Sequence, residues 1–227
     1  PDQSSAASDV YKRQILYCRL PCNPIFPIGI VYLSDHVHKL FPNIEQKILD
    51  LGTVPPLDFK KTLKDCIDEF KPTLLIFSWR DIQIYAPVGG RSGNPLQNAF
   101  EVYYSQNIFT RLRGALGGLK VVKDYYSELW RNVNLIKLGF KQARKYHSKV
   151  RVIVGGGAAS VFYEQVQYYL PRGTIVSVGE GEGLLKKLLS GQDFSNERCY
   201  VIGENQPRER LIHEFPEPLY KTSCDYD

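Results

Sequence analysis

This chain of 227 residues contains no methionine. Not even an initiator residue is represented, so a piece of a longer protein is expected. It also lacks any apolar run near the roughly 18 residues that a membrane span needs. No segment shows the charged, apolar and cleavable succession of a secretory signal. The expectation is a cytoplasmic chain without a membrane span. Internal repeats of solenoid length and low-complexity tracts are absent, which excludes a repeat array. Cysteines are few and odd in number: Cys18, Cys22, Cys66, Cys199 and Cys224. Without a secretory signal, that count argues for reduced thiols rather than a disulfide framework. No sign of charge dominates, since 29 basic residues against 24 acidic ones leave a net charge of +5. The basic residues are scattered, so a solvated surface is expected and no nucleic-acid partner.

What is present reads as an α/β domain. The stretch Lys149–Leu189 runs KVRVIVGGG, AASVFYEQVQYYLPRG, TIVSVGEGEGLLKKLL. Two β-branched runs, Val150–Val154 and Thr174–Val178, each stop on glycine and lead into a helix-like segment. These are two successive strand–glycine-turn–helix units, the sequence form of a parallel sheet. Ligands of open α/β sheets bind at the carboxyl ends of the strands. Gly155–Gly157 and Gly179–Gly183 are therefore the places to expect one.

Upstream, Ile15–Leu20 reads as a first strand, followed by the proline-punctuated loop Pro21–Ile28 and a helix over Gly29–Phe41. Gln46–Leu51 is strand two, Asp58–Phe70 a helix with one apolar face, and Pro72–Trp79 a continuous apolar run typical of a strand buried on both faces. The rhythm breaks at residues 80–122, rich in aromatics and glycine, and resumes with an amphipathic helix over Asp124–His147. Arg198–Gly203 and Arg210–Glu214 suggest a small hairpin, and the remainder an extended linker. The predicted architecture is a flavodoxin-like (Rossmann-like), doubly wound, parallel five-stranded sheet with a large helical insertion between strands three and four. By this reading residues 1–14 have no hydrophobic periodicity and resemble a translated adapter scar. Residues 15–191 form the domain, and 192–227 the hairpin and linker.

Each candidate site residue has a plain structural alternative. Gly155, Gly156 and Gly157 leave room for a ligand near the backbone, or merely form a tight turn. Gly179, Glu180, Gly181 and Glu182 match a dinucleotide fingerprint weakly: the turn follows the last strand, and two carboxylates would repel phosphate. The glutamates suit hydrogen-bond acceptance or a helix-dipole role. Ser78 closes strand three, with its hydroxyl at the same sheet edge or bonded to local backbone; Trp79 and Arg80 follow it directly. Asp35, His36 and His38 tempt as a metal cluster. However, the two histidines are two apart on a helix and point in different directions. Cys18-x-x-x-Cys22 lacks the further ligands that zinc or an iron–sulfur cluster requires. No Ser/His/Asp arrangement is visible.

The loop NPIFPIG, the strand closing on Ser78, IVGGG and VSVGEGE together resemble the N-terminal cobalamin-binding domain of cobalamin-dependent radical SAM enzymes. The longer strings FPIGIVYLSDHVHKLFP, FSWRDIQIYAPVGGRSGNPLQNAF and RVIVGGGAASVFYEQ are similar to one subgroup, the cyanobacterial radical SAM proteins labelled as acting in photosystem II high-light acclimation. The resemblance covers Ile15 to the C-terminus. It implies a corrin ring across the carboxyl edge of the sheet, with its nucleotide tail between sheet and helices. Ser78 would bond the tail base, Gly155–Gly157 would make room for it, and the GEGEG turn would form the rim. Where related cobalamin enzymes place a DxHxxG loop after strand one, this chain has LPCNPIFPIG, without histidine. The implied cofactor state is thus base-off and histidine-off, with the lower face of the ring against Asn23, Pro24, Phe26, Pro27 and Ile28. The family's CxxxCxxC motif is absent, so a [4Fe–4S] cluster and S-adenosylmethionine are expected only in a downstream radical SAM domain in cis. The alternatives are a non-catalytic scaffold that docks a partner through residues 80–146, or a nucleotide-binding α/β enzyme.

Overall fold

The computed structural model of the chain describes residues 13–22, 26–80, 95–192, 199–201 and 225–226. The apolar runs become β1 (Gln14–Arg19), β2 (Glu45–Asp50), β3 (Leu74–Ser78), β4 (Arg151–Gly155) and β5 (Thr174–Val178). Between them lie α1 (Ile28–Leu40), α2 (Phe59–Phe70), α3 (Pro95–Tyr104), α4 (Ile108–Ala143), α5 (Gly157–Val161) and α6 (Tyr163–Tyr169), and α7 (Glu182–Leu189) follows β5. These five strands are parallel in the order β2-β1-β3-β4-β5, the expected flavodoxin-like arrangement.

Two short strands extend this core. β6 (Cys199–Val201) pairs parallel with β5, and β7 (Asp225–Tyr226) pairs parallel with β2, which gives a seven-stranded sheet. The sequence reading put both segments outside the sheet, in a hairpin and a linker. Segments of two or three residues are too short to carry a periodic signal, and a parallel partner is fixed only by the sheet edge that receives it. The hairpin's other arm, 210–214, lies outside the described residues, as do residues 1–12.

The boundary of the insertion also differs. α4 is one unbroken helix of 36 residues, about 54 Å at 1.5 Å per residue. Residues 108–122 thus belong to the same helix as the predicted one at 124–147. Gly114, Gly117 and Gly118 weaken the helical signal there. Two of them have a packing reason: a Cβ on Gly114 would meet the Asn98 carbonyl at 2.7 Å, and one on Gly117 the Asn98 side chain at 2.5 Å. α3 packs on α4 through these gaps. The side chain of Asn107 caps α4 by accepting from the Phe109 N–H at 2.9 Å.

The sheet separates two cores. Leu16, Cys18, Leu20, Leu75, Phe77, Trp79, Val152, Val154 and Val176 pack under α2, the second half of α4, and α5 and α6. Gly139 of α4 lies so close that a Cβ would meet the Phe77 ring at 2.6 Å. Tyr17, Ile48, Ile76, Ile153 and Ile175 face the other way, under α1 and α7.

Candidate functional site

Side chains alternate along a strand. The residues two beyond Tyr17, Ile48, Ile76, Ile153 and Ile175 therefore share the α1/α7 face, and they are the last residues or nearly so of their strands. They are Arg19, Asp50, Ser78, Gly155 and Ser177. Register aligns them: Arg19 pairs with Asp50 on one side and Ser78 on the other, and Ser78 pairs with Gly155. A Cβ on Gly155 would sit 3.6 Å from the Ser177 Cβ, an ordinary contact. Five strands thus end in one row, Asp50–Arg19–Ser78–Gly155–Ser177, at the carboxyl edge where the fold places ligands.

The two ends of this row differ. Arg19 and Asp50 are buried and satisfy each other at 2.8 Å. The second Asp50 oxygen accepts from the Gly52 N–H at 2.8 Å, and Arg19 Nε donates to Cys22 Sγ at 3.0 Å. Burial alone would weaken the guanidinium's hold on its proton, but Cys22 and Asp50 more than offset it, and the Arg19 pKa is raised. At the other end, Ser177 is 2% exposed and its Oγ has no hydrogen-bond partner among the described residues. Between Ser78 and Ser177, Gly155 contributes no side chain.

The glycine turn after β4 serves the sheet first. Gly156 has φ +101, and a Cβ there would meet the Trp79 carbonyl oxygen at 2.6 Å. The Trp79 N–H donates to the Gly155 carbonyl at 2.7 Å, and the Trp79 carbonyl accepts from the Ala158 N–H at 3.1 Å. Gly156 is thus required by the exit of β3, while Gly155 alone faces the serines. Trp79 joins the opposite core, under α2 and α4, rather than the row. Arg80 is exposed just beyond it.

The turn after β5 is tethered likewise. Gly179, at φ +86, donates its N–H to Ser160 Oγ at 3.0 Å. Gly181 precedes α7 and approaches Leu33 of α1, 3.4 Å from where its Cβ would lie. Gly157 opens α5. Glu180 is exposed, and Glu182 lies in the first turn of α7. Burial raises the Glu182 carboxyl above its usual range, the backbone N–H groups of Glu182 and Gly181 oppose that, and the charge of Glu180 adds to the rise.

Of the loop after β1, Pro27 is buried and its carbonyl accepts from Ile30 and Val31 at 3.0 and 3.2 Å, starting α1. Phe26 and Ile28 are 59% and 55% exposed beside it. Asn23 and Pro24 lie outside the described residues. His36 and His38 fall on α1 eight and ten residues past its start, about 12–15 Å along the axis. Cys18 is sealed in the core, and burial, with Cys66 and Asp50 nearby, pushes its thiol pKa well up. Among the described residues no group of three His, Cys, Asp or Glu is arranged to hold a metal ion.

Sequence reasoning missed Arg19, Asp50 and Ser177. The first two carried a signal, as charges placed directly after the apolar stretches ILYC and IL. Ser177 was legible only by counting alternation from Ile175.

No family model matches this sequence, and no curated protein does. Among solved structures the chain is similar to TsrM, a radical S-adenosylmethionine methyltransferase from Kitasatospora setae, bound to tryptophan and the SAM analogue aza-SAM. The TM-score is 0.51 at 19% identity, over 80% of this chain and 27% of that one. A second structure of TsrM, with cobalamin and a [4Fe-4S] cluster, gives a TM-score of 0.48 at 17% identity, over 81% and 27%. The chain thus spans about a quarter of TsrM's length, and the likeness is one of fold.

Proposed function

We propose that this chain is a cobalamin-binding module, the front part of a radical SAM enzyme of the subgroup its longer strings resemble. The observation that carries this is the row Ser78–Gly155–Ser177: two hydroxyls flanking a missing side chain, in register, at the carboxyl edge of a β2-β1-β3-β4-β5 sheet. A buried hydroxyl without a partner is costly and uncommon, and a polar ligand tail lying over Gly155 would supply one. The fold likeness to a radical SAM methyltransferase agrees with this reading. Ser78 and Gly155 would hold the tail, and the exposed apolar pair Phe26 and Ile28 would meet the lower face of the ring, with Asn23 and Pro24 next to them in the chain.

When bound, the corrinoid would supply a cobalt centre able to carry a methyl group. The chain's own part is to orient it and shield its lower face. The distance of His36 and His38 from the start of α1 supports a histidine-off state, and a nucleotide tail held between sheet and helices would be base-off. Their helix leaves the carboxyl edge and carries them away from it. Iron–sulfur and S-adenosylmethionine chemistry would belong to a further domain in cis.

The test is reconstitution with hydroxocobalamin, gel filtration and a visible spectrum. Corrin absorption should co-elute with the chain and keep its band positions in a His36→Ala/His38→Ala variant. No co-eluting corrinoid would remove the cofactor from this reading.

One observation favours a second reading, a docking scaffold. Along the first half of α4, Phe109, Leu112, Leu116, Leu119, Val122 and Tyr126 are spaced by three or four residues and are each more than half exposed. Partner capture that survives in the absence of corrinoid and is lost in a Leu112→Glu/Leu116→Glu variant would support it.

A further inference from the structure

We infer that Ser177 is a second polar anchor for the buried tail of the ligand, on the far side of Gly155 from Ser78, and that it makes the site selective for corrinoids that carry a nucleotide-like tail. The assignment rests on the cobalamin reading and names a residue that neither the glycine turns nor the serine closing β3 point to.

Three observations support it. The Ser177 side chain shares the α1/α7 face with Gly155 and Ser78, since Ile175 two residues earlier lies in the core under α1 and α7. It is 98% removed from water by its 2% exposure, yet its Oγ has no partner among the described residues. Its neighbour across the strand is a glycine whose missing Cβ would touch it at 3.6 Å, so the hydroxyl borders the one gap in the row. Ordinary strand chemistry gives no reason for this residue. A valine there would match Val176 and Val178 in β propensity and bury no polar group. Ser78 and Ser177 stand two strands apart, about 9.5 Å at the usual strand spacing. That span fits a planar fused-ring base with its sugar, polar at both edges, and is too wide for a single water to bridge.

The test titrates the full chain and its Ser177→Ala variant with two probes, hydroxocobalamin and dicyanocobinamide, the second lacking the nucleotide tail. The loss of one hydrogen bond corresponds to about three- to tenfold in affinity. Ser177→Ala should therefore bind hydroxocobalamin about three- to tenfold more weakly and cobinamide unchanged. Without ligand it should melt at the same or a higher temperature, because an unpartnered buried hydroxyl has been removed. Its melting temperature should rise less than that of the unmodified chain on adding hydroxocobalamin. Equal affinity of the two proteins for hydroxocobalamin overturns the assignment and leaves the cobalamin reading intact, as does an equal loss for both probes. Failure of the unmodified chain to bind either probe overturns the cobalamin reading, and the role of Ser177 with it.

Discussion

On the α2/α4 side, the chain neighbours of the row, Leu20 after β1, Trp79 after β3, Val154 in β4 and Val176 in β5, all lie within one apolar core. One residue away, on the α1/α7 side, the same strands end in Arg19, Ser78, Gly155 and Ser177. The two faces are made of the same strands and differ by one step of the pleat. One face is packed to its rim by aromatics and aliphatics, and Gly139 is needed so that α4 clears the Phe77 ring. The other is apolar in its lower layers and polar along its rim. Among the described residues the first face is closely packed, whereas the second has hydroxyls and, at Gly155, a missing side chain at the edge where such folds bind ligands. Both faces carry a core, but only the α1/α7 face keeps a polar rim, and that is the face on which binding is proposed.

Substitutions can break that division. Phe77→Ala should have the largest effect, about 3–5 kcal/mol of stability lost in urea unfolding, with corrinoid retention unchanged in the folded fraction. A selective loss of retention would move the binding function to the wrong face. Asp50→Ala should cost a similar amount, about 3–5 kcal/mol, because Arg19 stays buried without its carboxylate. The double variant Arg19→Met/Asp50→Leu should recover much of this. If it is as unstable as the single variant, the ion pair is not what secures that end of the row.

The glycine turn offers the sharpest contrast. Gly156→Ala forces a side chain into backbone that only glycine adopts readily, at about 1–3 kcal/mol, with the Trp79 carbonyl in the way as well. Gly155→Ala meets only an ordinary contact, so its stability should change by under about 1 kcal/mol, while hydroxocobalamin retention falls. Comparable destabilisation by both, seen in thermal melts, would make the whole turn structural.

The smallest effect concerns Glu182. Its carboxyl pKa is raised in the folded chain, chiefly by burial. The stability linked to it is present below the ordinary glutamate range and is lost as pH rises through the raised folded value. Glu182→Gln should therefore melt higher than the unmodified chain at pH 8, and the difference should vanish near pH 3. A difference that persists at low pH would point to lost packing rather than charge.

Much of the fold was legible because its signals are local. Five apolar runs, the amphipathic faces of α2 and α4, and the glycine stops after β4 and β5 fixed the class and the core strands to within a residue or two. Less of the site was. Ser78 and Gly155 fall where the strand ends suggested, and the structure sets them side by side. Gly156 stands where expected, but the exit of β3 accounts for it. Trp79, next to Ser78 in the chain, is on the other side of the sheet, because adjacent residues of a strand face opposite ways.

The sequence by itself determined the class of fold, the carboxyl edge as the place to look, and a first loop free of histidine, since each depends on residue type and short spacing. Only the tertiary structure decided that β6 and β7 extend the sheet, that residues 108–143 form one helix, and that Asp50, Arg19, Ser78, Gly155 and Ser177 form a row. Those features depend on which strands pair and in what register. Pairing sets Ser78 beside Gly155, 77 positions on, and Lys47 beside Asp225, 178 positions on, and no local pattern encodes that.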